Sequence, residues 1–175
     1  MKKLLAFAFL VLSFNTLGNE VTQESPRETL EKVLLAQQGN AVYIDFWASW
    51  CVPCLKSFPW MNKIQQQYKN QGFTVISINV DADKTKADKF LQDNPASFAV
   101  IYDPKGTIAQ HFSIEAMPTS LLINREGKIM YRHSGFFTSK ITQYENQLKQ
   151  LINNTPTTTS NNNTFDKISR GQHEN

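Results

Sequence analysis

Only two cysteines occur in the 175 residues, Cys51 and Cys54. A small fold stapled by disulfides needs several pairs, so that class is excluded. One pair this close in sequence closes a very small loop and removes little entropy from the unfolded chain, so chemistry explains it better than stability does. Histidine is also scarce: His111, His133 and His173 are not spaced as a ligand pair, and a tetrahedral zinc site wants four ligands. Apolar runs are short. The most continuous one, residues 4–12, falls well below the ~20 residues that cross a bilayer as a helix. Charge of neither sign dominates. The 18 basic and 15 acidic residues leave a formal +3, part of it from Lys2 and Lys3. With no strong basic patch and no acidic tail, electrostatics point to no nucleic-acid or membrane-surface partner. Internal repeats are absent.

What is present divides into three. Lys2 and Lys3, the apolar stretch 4–12 and the small residues around Thr16-Leu17-Gly18 have the layout of a secretory signal peptide. Residues 1–18 are therefore set aside, and no cysteine lies near the cleavage region to carry a lipid. Residues 19–152 have an ordinary apolar fraction and the length of one domain. From 153 to 175 Asn, Thr and Ser dominate, too little apolar surface to offset the entropy of ordering, and a disordered polar tail is expected.

Within the domain the patterns alternate. Ser25, Pro26 and Glu28 form a helix start with a capping box, followed by Leu30, Val33 and Leu34 at helical spacing and Gly39-Asn40 as a stop. Residues 41–47 are β-branched, aromatic and apolar except for Asp45, as in a central strand covered on both faces. Residues 53–71 are helical, with Phe58, Met61, Ile64 and Tyr68 on the core side and Pro59 placed to kink the helix. A strand over 74–80, a short helix over 85–91 and a strand over 98–102 follow. Residues 107–114 are ambiguous between strand and helix. A hairpin spans 120–124 and 128–133, and an amphipathic helix over 138–152 closes the domain. This is an α/β order with a mixed central sheet flanked by helices.

The chemistry concentrates in Phe46-Trp47-Ala48-Ser49-Trp50-Cys51-Val52-Pro53-Cys54. A strand runs into a helix, and Cys51 falls at the helix N-terminus, where unpaired N–H groups and the helix dipole favour a thiolate. Cys54 comes round on the inner side, placed to attack a mixed disulfide on Cys51. The reading requires Cys51 to be acidic and accessible. Half a zinc site or an inert disulfide are the bland alternatives. Asp45 interrupts an apolar strand. Buried, its carboxyl would resist ionisation and could take the proton of Cys54; at a strand end it would be merely solvated. Trp50 adjoins Cys51 and fits a substrate platform or the core.

The run from Asp45 to Cys54 resembles the active-site signature of the thioredoxin superfamily, and Met117-Pro118-Thr119 resembles its second signature, a cis-proline loop facing the cysteines. The exported TlpA/ResA-like branch is the most similar: the distance from Cys54 to Pro118 leaves room for its central insertion, roughly 91–111, although the branch's N-terminal β-hairpin is missing before Ala41. The resemblance implies a thioredoxin fold, catalytic Cys51, Cys54 and Asp45, and a substrate surface that includes Trp50, Met117 and Pro118. In thioredoxins a lysine on the neighbouring strand faces the aspartate. Ser77 holds that position here, so the pKa of Asp45 is expected to rise further.

Together these point to a periplasmic or secreted protein, with an uncleaved N-terminal membrane anchor as the lesser alternative, that performs thiol–disulfide exchange on exported proteins with no metal or organic cofactor. Protein or thiol disulfides are the substrates, a membrane-embedded electron donor recharges the pair, and the chain is expected to be a monomer. Val52 and Pro53 supply no charge to hold a thiolate, which favours a reductase over an oxidase or isomerase. A module holding Cu(I) on the two thiols for delivery is the rival from another class.

Overall fold

A computed structural model describes residues 24–154; the signal-peptide reading of 1–18 and nearly all of the polar tail lie outside them. The order is α1 (Pro26–Leu35), β1 (Ala41–Trp47), α2 (Val52–Tyr68), β2 (Phe73–Asn79), α3 (Lys84–Asp93), β3 (Ala99–Tyr102), α4 (Thr107–His111), β4 (Thr119–Ile123), β5 (Ile129–Ser134) and α5 (Ile141–Asn153). The strands form one mixed sheet in the order β3-β2-β1-β4-β5. β1 runs parallel to β2 and antiparallel to β4, and β5 pairs antiparallel to β4. β3, from the insertion, forms the edge beyond β2.

β1 is buried along its whole length because both of its faces are covered. Val42, Ile44 and Phe46 pack with Leu30 and Leu34 of α1 and with Ile108 and Phe112 around α4. Ala41, Tyr43 and Trp47 face the other way, into a core with Cys54, Phe58, Met61 and Ile64 of α2 and Tyr144, Leu148 and Leu151 of α5. Strand alternation puts Asp45 on this second face. The α2 side is rich in rings. Trp47 meets Phe58 and Phe90, each at 4.8 Å between centroids, while Trp60 meets Tyr43 at 5.5 Å and Phe136 at 5.6 Å. Each such pair adds ~0.5–1.5 kcal/mol beyond its buried area, so α2 is anchored on both flanks and its N-terminus is held fixed.

The capping box of α1 forms: the Ser25 N–H donates to Glu28 Oε2 at 2.7 Å, and the Glu28 N–H to Ser25 Oγ at 3.3 Å. Pro59 lies inside α2 without ending it. The ambiguous segment is helical over its first five residues, Thr107–His111. The Asp103 carboxylate accepts the N–H groups of Thr107, Ile108 and Ala109 at 2.8–2.9 Å and so satisfies the donors that open α4.

Candidate active site

Cys51 is the N-cap of α2, and Val52 and Pro53 fill its first two positions. The Cys54 N–H points at Cys51 Sγ, 3.3 Å away. An N-cap side chain normally accepts from this N–H, and a thiolate there would gain from the same donor and from the helix dipole. Cys51 and Cys54 are joined by a disulfide. Cys54 is fully buried, and Cys51 retains only 4% exposure. The expectation of an accessible first sulfur is therefore not met in this oxidised form. The neighbours are open instead, with Trp50 at 69% and Val52 at 66%. Trp50 is a surface residue, whereas Trp47 and Trp60 belong to the core.

The loop ahead of Cys51 is braced by a residue that pattern reading passed over. Asp81, just after β2, accepts the Ser49 N–H at 2.8 Å and the Ser49 hydroxyl at 2.9 Å. Asn79 holds Asp81 in turn, donating from Nδ2 at 2.8 Å. The signal was an acidic residue at the carboxyl end of a strand beside the first one, but its partner lies 32 positions earlier.

Asp45 is fully buried. It neighbours Ser77 on β2 and Ser120 on β4. Ser77 directs its hydroxyl away, to the Ala99 carbonyl. The Ser120 hydroxyl donates to Asp45 Oδ1 at 2.9 Å, and Tyr43 donates to Ser120 Oγ at 2.6 Å. Burial pushes the Asp45 carboxyl up to about 7, with the Ser120 hydrogen bond pulling the other way. Oδ2 has no partner among the described residues.

The Met117–Pro118 peptide bond is cis. The Pro118 carbonyl accepts the Gly135 N–H at 2.8 Å, which ties this loop to the segment after β5 that carries exposed Phe137. Met117 is half-buried and packs against both cores.

A strand-to-helix turn bearing a C-x-x-C disulfide, on a β3-β2-β1-β4-β5 sheet with helices on both faces, defines a thioredoxin-fold protein. More narrowly, the chain belongs to the Redoxin family, whose profile matches residues 16–148, and its relatives place it with the TlpA/ResA-like members. The thiol-disulfide oxidoreductase ResA of Bacillus subtilis (strain 168) is 33% identical over 113 residues, 64% of this chain and 63% of that protein. ResA of Halalkalibacterium halodurans is 29% identical over 125 residues, 71% of this chain and 70% of that one. The chain thus aligns with slightly less than two thirds of the Bacillus subtilis protein. A Chlorobium tepidum structure described as a thiol:disulfide interchange protein DsbE superposes with a TM-score of 0.67 at 45% identity, covering 68% of this chain and 84% of that one. StoA from Bacillus subtilis gives 0.54 at 26% identity, covering 65% and 83%.

Proposed function

We propose that this protein is a disulfide reductase acting on exported proteins, with Cys51 as nucleophile, Cys54 as resolving thiol and Asp45 as the group that holds the proton of Cys54. One observation carries the reading: the two sulfurs meet at the first turn of α2, with the Cys54 N–H directed at Cys51 Sγ. In the reduced protein the Cys51 thiolate attacks one sulfur of a target disulfide. A bond forms between them, and the second target sulfur leaves as a thiolate that takes a proton from water. Asp45 accepts the proton of Cys54, and the Cys54 sulfur attacks Cys51 Sγ. The mixed disulfide breaks, the first target sulfur leaves and is protonated, and the Cys51–Cys54 disulfide remains. Two electrons have passed to the target.

Exposed Trp50, with the Met117-Pro118 loop, is the surface on which the target docks. No helix among the described residues is long and apolar enough to cross a membrane. Recharging of the pair falls to a membrane-embedded thiol donor. The reading places a monomeric domain outside the cytoplasm, in keeping with the basic and apolar N-terminal pattern. Insulin reduction tests the activity: the wild type precipitates insulin chains and Cys51→Ser does not. Equal inertness of the two, with one Cu(I) retained per chain, would transfer the protein to metal delivery. A redox titration tests direction, and a potential as oxidising as ~−120 mV would make it an oxidase.

A further inference from the structure

Among the described residues three carboxylates are buried, and two are saturated. Asp81 uses both oxygens on Ser49 and Asn79. Asp103 uses both on Thr107, Ile108 and Ala109. Both oxygens of each meet donors from the backbone or side chains, and the two serve as fixed braces of their loops. Asp45 differs. One oxygen is held and the other is buried without a partner among the described residues. A buried bare oxygen on an ionised carboxyl is costly, and a proton on that oxygen relieves the cost.

The held oxygen is fixed by a short chain. Tyr43 and Ser120 each have one hydroxyl hydrogen, and at 2.6 Å and 2.9 Å the arrangement that uses both runs from Tyr43 to Ser120 to Asp45 Oδ1. Both residues are buried, so water does not compete for these hydrogens. The chain keeps its polarity whether or not Oδ2 carries a proton. We propose that Ser120, itself held by Tyr43, is a positioning residue for disulfide exchange: it fixes the Asp45 carboxyl through Oδ1 and reserves Oδ2 for the proton of Cys54. This rests on the proton role given to Asp45 above.

The groups facing Asp45 leave Ser120 as its principal polar contact. Tyr43 comes from its own strand, uncharged Ser77 from β2, and Cys54 from α2 on the same side of the sheet. Tyr144 of α5 packs in the same core as Tyr43. His133 on β5 lies opposite Ser120, where burial lowers its pKa and disfavours its charged form. None of these brings a positive charge to Asp45, and a hydrogen bond to the charged form is what remains to favour it.

The test reads Asp45 directly, by carboxyl carbon NMR across pH on the oxidised full chain, where the cysteines do not titrate. Ser120→Ala should move the Asp45 midpoint up by about one pH unit, since the bond it loses favours the ionised form. Tyr43→Phe should move it up by less, and Ser120→Thr should return it to the wild-type value. In parallel, the reduced protein is mixed with a chromogenic aromatic disulfide and the second thiolate release, which reports attack by Cys54, is followed against pH. Its midpoint should move with the NMR midpoint. An unmoved midpoint in Ser120→Ala overturns the proposal; if that variant does not fold, an unmoved midpoint in Tyr43→Phe does so. Asp45→Asn separates the two readings. If it leaves the second release and its pH profile unchanged, the proton role of Asp45 is wrong. If it flattens the profile while the serine and tyrosine variants leave the midpoint in place, only the Ser120 proposal falls.

Discussion

Replacing Asp45 by asparagine should make the oxidised protein increasingly more stable than the wild type as pH rises from about 4 to about 7, and leave it nearly unchanged below about pH 4. The carboxyl stands at about 7 in the folded chain against an ordinary value near 3.8. At 1.36 kcal/mol for each pH unit, that difference is worth about 4 kcal/mol. Its sign follows from which state binds the proton more tightly. The folded chain does, so the stability is present in full below about pH 4, and it drains away as pH rises through about 7. Asparagine removes the titration. Its carbonyl oxygen can still accept from Ser120, and its amide occupies the place of Oδ2. Below about pH 4 the variant should therefore lie within about 1 kcal/mol of the wild type. Between pH 5 and pH 9 the difference between them should shift by about 3 kcal/mol in favour of the variant. Urea unfolding of both oxidised proteins at the two pH values measures it, and every other titrating group cancels in the difference. A difference constant to within ~0.5 kcal/mol would mean that Asp45 ionises as freely in the fold as outside it, and would refute the reasoning from burial. The same variant should release the second target thiol more slowly, which makes Asp45 a site where function costs stability.

Three other substitutions probe the frame. Asp81→Ala removes the acceptor of both Ser49 donors and of Asn79 Nδ2. A loss of ~2–4 kcal/mol in chemical denaturation should accompany slower alkylation of the reduced Cys51, because the loop that presents it is released. Arg125→Ala deletes hydrogen bonds to the carbonyls of Gly39, Gln71 and Ile152 at 2.8–3.1 Å, and should cost ~2–3 kcal/mol with the exchange rate constant unchanged at a temperature where both proteins are folded. Trp50→Ala, at an open position, should alter stability by less than ~0.5 kcal/mol while raising KM for a protein substrate; an unchanged KM would remove Trp50 from the docking surface.

What the chain reveals by itself is what its neighbours in sequence decide. Residues 41–47 are read as a strand because the apolar run is short and β-branched, and β1 occupies those bounds. Ser25 and Glu28 announce α1 because a capping box closes within one turn. Gly39-Asn40 marks the end of the turns and not of the helix: α1 ends at Leu35, and turns carry the chain from there to Asn40. Partners that meet across the fold are silent. Arg125 reads as a hairpin residue, yet its guanidinium joins the ends of three segments. Gly72 lies beneath it with φ 74°, where a Cβ would strike Arg125 Nη1. Nothing within ten residues of either position encodes that contact.

Asp45 shows the same limit at the site itself. A central strand has two neighbours, and the thioredoxin pattern points to a charge beside Asp45 on β2, where Ser77 stands. That side supplies no hydrogen bond to it, because Ser77 turns to the Ala99 carbonyl. The donor arrives from β4, 75 positions along the chain, in an antiparallel register that pairs Asp45 with Ser120 and Phe46 with Thr119. A slip of one residue would exchange Ser120 for Thr119 or Leu121 and turn every β4 side chain to the opposite face. Apolar alternation cannot tell these registers apart, since Thr119–Ile123 is buried at each of its five positions. The proton affinity of the site therefore depends on a strand pairing, and it becomes legible only once the loop through Pro118 has delivered β4 to its place.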